Sequence, residues 1–184
     1  PGGIGADFDK FKDLLSKTNI AGFDWQAERM ADEDHGSVVL RSHYFGLRKV
    51  YEGWQGPRDL KSGAVLGGLK GADAHYKKLS EKFGYTIPVP ENLINQIGYQ
   101  LLFDGKPEEA IEAFKANVER YPDSANVYDS LAEAYERGNR IDLAEPLYEK
   151  AQTLGQQNND QNAATFKANY ERAHAKLKET TKKQ

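Results

Sequence analysis

The hydrophobic positions of this chain change period several times, and each change marks an element. Phe8, Phe11, Leu14 and Leu15 share one face of a helix expected over 7–17, with Asp7 at its start. Asn19 to Gly22 interrupts it. Phe23, Trp25 and Ala27 then alternate with Asp24, Gln26 and Glu28, the pattern of a half-buried strand. A polar loop follows at 31–37, after which Leu40, Tyr44, Leu47, Tyr51 and Trp54 recur at helical steps and predict a helix from Val38. Six glycines and one proline between Gly53 and Gly71 mark the expected domain boundary. Beyond it, Leu69, Ala72, Tyr76, Leu79 and Phe83 predict a helix over 69–83, and Thr86 to Pro90 an extended connector. Four further helices are expected at 91–104, 107–120, 125–137 and 140–154, with a kink at Pro146, and a last one at 161–178.

Those four helices contain an internal repeat of 34 residues. Ile94, Ile97, Gly98, Leu101, Ala110 and Phe114 in the first copy correspond to Tyr128, Leu131, Ala132, Tyr135, Ala144 and Tyr148 in the second, and the first copy closes with Pro122. The pattern resembles the tetratricopeptide repeat, in which a small residue sits where paired helices cross and large apolar residues surround it. Two repeats are few for a stable array, so the helices at 69–83 and 161–178 are expected to cap it. The resemblance places a binding groove on the first helix of each pair: Asn92, Asn95, Tyr99, Leu102 and Phe103, then Asn126, Asp129, Glu133, Glu136 and Arg137. This is not the Lys, Asn and Arg set with which chaperone-binding members clamp a terminal carboxylate. Tyr99, Leu102 and Phe103 are expected to hold the 69–83 helix in the groove in preference to a peptide.

The segment before the repeats carries different chemistry. Asp32-Glu33-Asp34-His35-Gly36-Ser37-Val38, then Gly46-Leu47-Arg48 and Glu52-Gly53-Trp54, resembles the C-terminal end of the esterase D-like α/β-hydrolases, some of which continue into tetratricopeptide repeats. The resemblance implies that residues 7–56 end an α/β-hydrolase domain and that His35 is the general base of a catalytic triad. Read on its local sequence alone, a His in an acidic loop is a solvated side chain. No Gly-x-Ser-x-Gly occurs in the chain, so the nucleophile and the triad acid are expected outside it and the chain alone is expected to be inactive. Ser37 is too close in sequence to be activated by His35, and the acidic run does not have the spacing of a metal site. His43, His75 and His174 read as helix-surface or interhelix residues, and Gly2-Gly3-Ile4-Gly5 follows no strand, so it is not a phosphate loop.

Composition narrows these readings without choosing among them. With 39% hydrophobic residues, 11% aromatic residues and a net charge of −3, the chain can build cores and carries no nucleic-acid footprint. No apolar run is long enough to span a membrane. The absence of cysteine and of a visible signal segment selects neither the bacterial periplasm nor the cytoplasm, and the start at Pro1 suggests a fragment or a processed form. The expected fold is mainly α: an α/β-hydrolase remnant at 1–56 (helix, strand, helix), a linker at 57–68 and a repeat domain at 69–184, with repeats 91–124 and 125–158. The expected function is the C-terminal portion of a serine esterase; the alternative is a repeat-mediated interaction module. No cofactor or metal is implied. The expected partners are an ester substrate in the parent protein and, through the repeats, a protein partner or a second copy.

Overall fold

The computed structural model describes residues 4–182, so Gly2 and Gly3 lie outside the described residues. Eight helices form: α1 (Ile4–Ser16), α2 (Ser37–Val50), α3 (Gly68–Phe83), α4 (Glu91–Phe103), α5 (Pro107–Arg120), α6 (Ala125–Arg137), α7 (Ile141–Gln157) and α8 (Ala163–Lys182). The chain divides into two compact units after Glu52.

In the second unit, small residues set the spacing between helices. Gly98 of α4 lies against the Phe114 ring of α5, so close that an added Cβ would stand 2.4 Å from two ring carbons. Only a residue without a side chain permits that crossing. One period later Ala132 of α6 is buried in one cluster with Ala144 and Tyr148 of α7. The first turn of α5 begins with Pro107, which gives up no helical hydrogen bond there, and Glu108 and Glu109 complement the helix dipole. Helix α7 runs from Ile141 to Gln157 with Pro146 inside it, where the proline ring removes one backbone hydrogen bond.

Both flanking helices close the array. Ala72, Tyr76 and Leu79 of α3 are buried with Leu93, Ile94 and Ile97 of α4. The spacing of Ala72 and Tyr76 repeats that of Ala110 and Phe114 and of Ala144 and Tyr148, so α3 serves as the second helix of an incomplete repeat. At the other end α8 buries Phe166 and Ala173. Phe166 occupies the space opened by Gly155 of α7, where a Cβ would lie 2.7 Å from the ring.

The stretch read as a linker, 57–68, is ordered. Asp59 accepts hydrogen bonds from the backbone N–H groups of Lys61 and Ser62 at 3.1 and 2.7 Å, and Arg58 pairs with Val65 in an isolated antiparallel bridge. The turn is docked on α4: Gln96 donates to the Gly63 carbonyl at 3.0 Å, and the Val65 N–H donates to Gln100 Oε1 at 3.1 Å. Val65 is buried there.

The first unit corrects the expected helix-strand-helix arrangement. No strand forms among the described residues, and the α/β-hydrolase remnant has no sheet to represent it. Residues 23–30 are irregular, yet Trp25 and Ala27 are half-buried between the exposed Asp24, Gln26 and Glu28. The alternation holds for Trp25 and Ala27 but not for Phe23, which is exposed, and a single extended segment without a partner has no ladder of hydrogen bonds to make. Helix α1 starts before Asp7, which falls in its first turn, and α2 stops at Val50, short of Trp54. None of residues 5–52 is buried.

Candidate functional site

Helices α4, α6 and α8 lie side by side, joined by polar side chains. The 34-residue period pairs Asn92 with Asn126, Asn95 with Asp129, Tyr99 with Glu133, and Phe103 with Arg137. Tyr99 donates its hydroxyl to Glu133 Oε2 at 2.7 Å, its ring edge against Phe114, and burial raises its pKa. Asn126 donates to Glu91 Oε1 at 3.0 Å. Asn92 is exposed, and the Oδ1 of half-buried Asn95 is enclosed with no hydrogen-bond partner.

Further along this face, Glu133, Glu136, Arg137, Tyr148, Asn169 and Arg172 line a hollow of about 480 Å³. Arg137 holds Glu133 Oε1 with two N–H groups at 2.9 and 2.6 Å. Glu136 accepts from Tyr148 at 3.0 Å, from Arg172 at 2.6 Å and from Lys176 at 3.4 Å. Burial acts to raise the Glu136 pKa, but the hydrogen bonds from Arg172, Tyr148 and Lys176 and the Arg172 charge bring it below the ordinary value. Asp129 has the opposite balance: burial raises its pKa, although Asn169 donates to it at 2.9 Å.

The direction for Asp129 makes a pH-dependent prediction. A carboxyl whose pKa is raised in the folded state contributes stability below its unfolded value and loses it as pH rises through the folded one. Asp129→Asn is therefore expected to raise the melting temperature at pH 7, and the gain should shrink to nothing as pH falls below the ordinary Asp range. Thermal melts of both proteins from pH 3 to pH 8 check this; a gain that is constant with pH would contradict it.

The expected occupation of the groove by the 69–83 helix is not found. Helix α3 packs on the flank of α4 that carries Leu93 and Ile97. Tyr99 and Leu102 instead pack against the cluster of Phe114 and Leu131, and Phe103 is 82% exposed. The sequence reading also missed Asn169, Arg172 and Lys176, which join the face from α8. Their signal was positional: α8 follows α7 as a first helix follows a second one.

His35 sits on the exposed turn before α2. Asp34 caps that helix: its Oδ1 accepts from the Gly36 and Ser37 N–H groups, both at 2.8 Å, while Ser37 Oγ accepts from the Asp34 N–H at 3.0 Å. The backbone bonds hold the Asp34 pKa below its ordinary value. Arg41 bridges Asp32 and Glu33 at 2.8 Å each. Among the described residues nothing is hydrogen-bonded to His35, and no serine is held against it. Of the other histidines, His75 bonds the Gly53 carbonyl at 2.7 Å, His174 bonds Glu145 at 2.7 Å and stacks on Tyr170, and His43 is exposed.

No protein-family model matches the chain, and no curated protein matches it. Among solved structures, the TPR domain of P58(IPK) is similar over 96% of this chain at 20% identity, with a TM-score of 0.47. The chain spans 42% of that protein's chain. The description as tetratricopeptide-like helix pairs stands on the period and on the crossings at Gly98 and Ala132.

Proposed function

We propose that this chain is a protein–protein interaction module whose face on α4, α6 and α8 takes an extended segment of a partner polypeptide. The observation that carries the reading is the row of amides at Asn92, Asn95 and Asn126 along the first helices of the two pairs, of which Asn92 is open to solvent. A side-chain amide donates and accepts at once, which suits the alternating N–H and C=O groups of a peptide backbone. The charged side chains nearby are matched with one another, so they steer the peptide little and leave recognition to the amides.

The test is selection of binding peptides from a random library, followed by anisotropy titrations with labelled peptides. Joint replacement of Asn92, Asn95 and Asn126 by Ala is expected to weaken binding at least tenfold, because each lost hydrogen bond costs roughly 0.5 to 1.5 kcal/mol. Lys115→Ala, on the second helix of the first pair, serves as the control. Equal affinity in all three proteins would remove the face from the site.

A second reading applies to residues 7–56, as the end of an esterase-like serine hydrolase in which His35 is the general base acting on an ester substrate. What favours it is the Asp34 cap, which holds His35 on an exposed turn with no hydrogen bond to another side chain. A base of this kind acts only on an oxygen nucleophile within about 2.6 to 3.2 Å. With p-nitrophenyl acetate, this chain is expected to give no turnover above its His35→Ala variant. A longer protein that supplies a Gly-x-Ser-x-Gly nucleophile should lose nearly all activity on the same change, and retention of activity there would exclude the role.

A further inference from the structure

On α4, Gln96 stands one helical turn from Asn92 and from Tyr99, so whatever is bound to it borders the amide row. What is bound to it is the turn at 57–68. Gln96 donates to the Gly63 carbonyl at 3.0 Å and its Oε1 accepts from Arg58, while Gln100, one turn on, accepts from the Val65 N–H at 3.1 Å. The turn therefore lies along the edge of the proposed peptide face.

Arg58 is fixed in this turn by neutral groups alone. Its backbone pairs with buried Val65, and its Nη1 donates to Gln96 Oε1 and, at 3.4 Å, to the Gly63 carbonyl. Among the described residues no carboxylate forms an ion pair with Arg58, and its Nε and Nη2 groups donate to nothing. Adjacent Asp59 is spent on the turn itself: its Oδ1 accepts from the Lys61 and Ser62 N–H groups and the Ser62 hydroxyl, at 3.1, 2.7 and 2.8 Å. Residues 53–72 carry Arg58, Lys61 and Lys70 against Asp59 alone. The arginines on α6 and α8 differ, Arg137 being matched by Glu133 and Arg172 by Glu136. A hollow of about 470 Å³ bordered by Pro57, Asp59, Leu60 and Leu66 opens beside Arg58, which is itself exposed, so a side chain can reach the guanidinium.

A guanidinium oriented through one nitrogen, with its Nε and Nη2 edge open, receives a carboxylate through two parallel hydrogen bonds. We propose that the 57–68 turn is a wall of the peptide site and that Arg58 in it receives an aspartate or glutamate side chain of the partner segment. This rests on the reading of the face as a peptide site. It adds the one charge preference that the matched pairs of α6 and α8 do not supply.

The experiment pans a random library of peptides, displayed without a free C-terminus, against the full chain. The selected sequences are expected to share one acidic position. One of them is then made as an amidated, labelled peptide with that residue intact or changed to its amide. In anisotropy titrations the change should weaken binding about fivefold at low salt, and less at about 0.5 M NaCl, where exposed charges are screened. Arg58→Gln should bind the two peptides alike, and Arg58→Lys should keep part of the preference. If Arg58→Gln lowers both affinities together, with the preference intact, the arginine only holds the turn and the proposal fails. Peptides that need the Asn92, Asn95 and Asn126 amides but share no acidic position would overturn the proposal and leave the peptide site standing, whereas binding that does not need those amides would overturn both.

Discussion

Phe114→Ala is expected to destabilise the repeat unit by about 3 to 5 kcal/mol, the range for deleting a fully buried aromatic side chain. The ring has no exposed surface and lies in one cluster with Ala110, Ile111, Leu131 and Ala134. It also meets the Tyr99 ring edge-on at 5.2 Å, so its loss removes a support from a residue of the proposed binding face. The main chain at Gly98 cannot simply move in to fill the hole, because Ile94 and Ile97 of the same helix are packed against α3. Urea denaturation followed by circular dichroism gives the loss. A change under about 1 kcal/mol, the size of an ordinary surface effect, would show that the first helix pair does not depend on this crossing.

Gly98→Val is the second large effect, and it acts at the same contact from the other side. Its Cβ alone would stand 2.4 Å from the Cε1 and Cζ atoms of Phe114, both in a rigid ring with nowhere to retreat. Overpacking of this kind costs about 1 to 3 kcal/mol, and the backbone separation needed here places the expected loss near the upper end. The stronger check is a double-mutant cycle. With Phe114→Leu in place the ring is gone, and Gly98→Val should cost less by about 0.5 to 3 kcal/mol, the range for residues in direct contact. Additive losses would mean that glycine is required at this position for some reason other than the ring.

The repeat half of the fold was legible because each buried position there is set by neighbours close in sequence and recurs one period later. Gly98 and Ala132 show this: both are small, both lie under an aromatic ring of the next helix, and the spacing alone located them. The face on α4 and α6 followed from the same register. Its third member was not legible, because Asn169 and Arg172 reach Asp129 and Glu136 only after α8 has docked. The turn at 57–68 was hidden for a related reason. Glycine-rich sequence reads as a connector, and what orders it is a pair of glutamines more than thirty residues away. In the first unit, the alternation marked Trp25 and Ala27 as the partly buried side chains, left Phe23 exposed, and could not make a strand, since strand formation is a property of two segments.

The half repeats at the two ends of the array have an architectural consequence. Helix α3 presents to α4 the surface that a complete preceding unit would present, and α8 presents to α7 the surface of a following one. The junctions of α5 with α6 and of α7 with α8 are thus of one kind, a second helix meeting the next first helix. Duplicating a whole 34-residue unit between them would leave both terminal seals with the mating surfaces they already have. The length of the array, and with it the length of polypeptide it can span, is free to change by gene duplication without redesign of its ends.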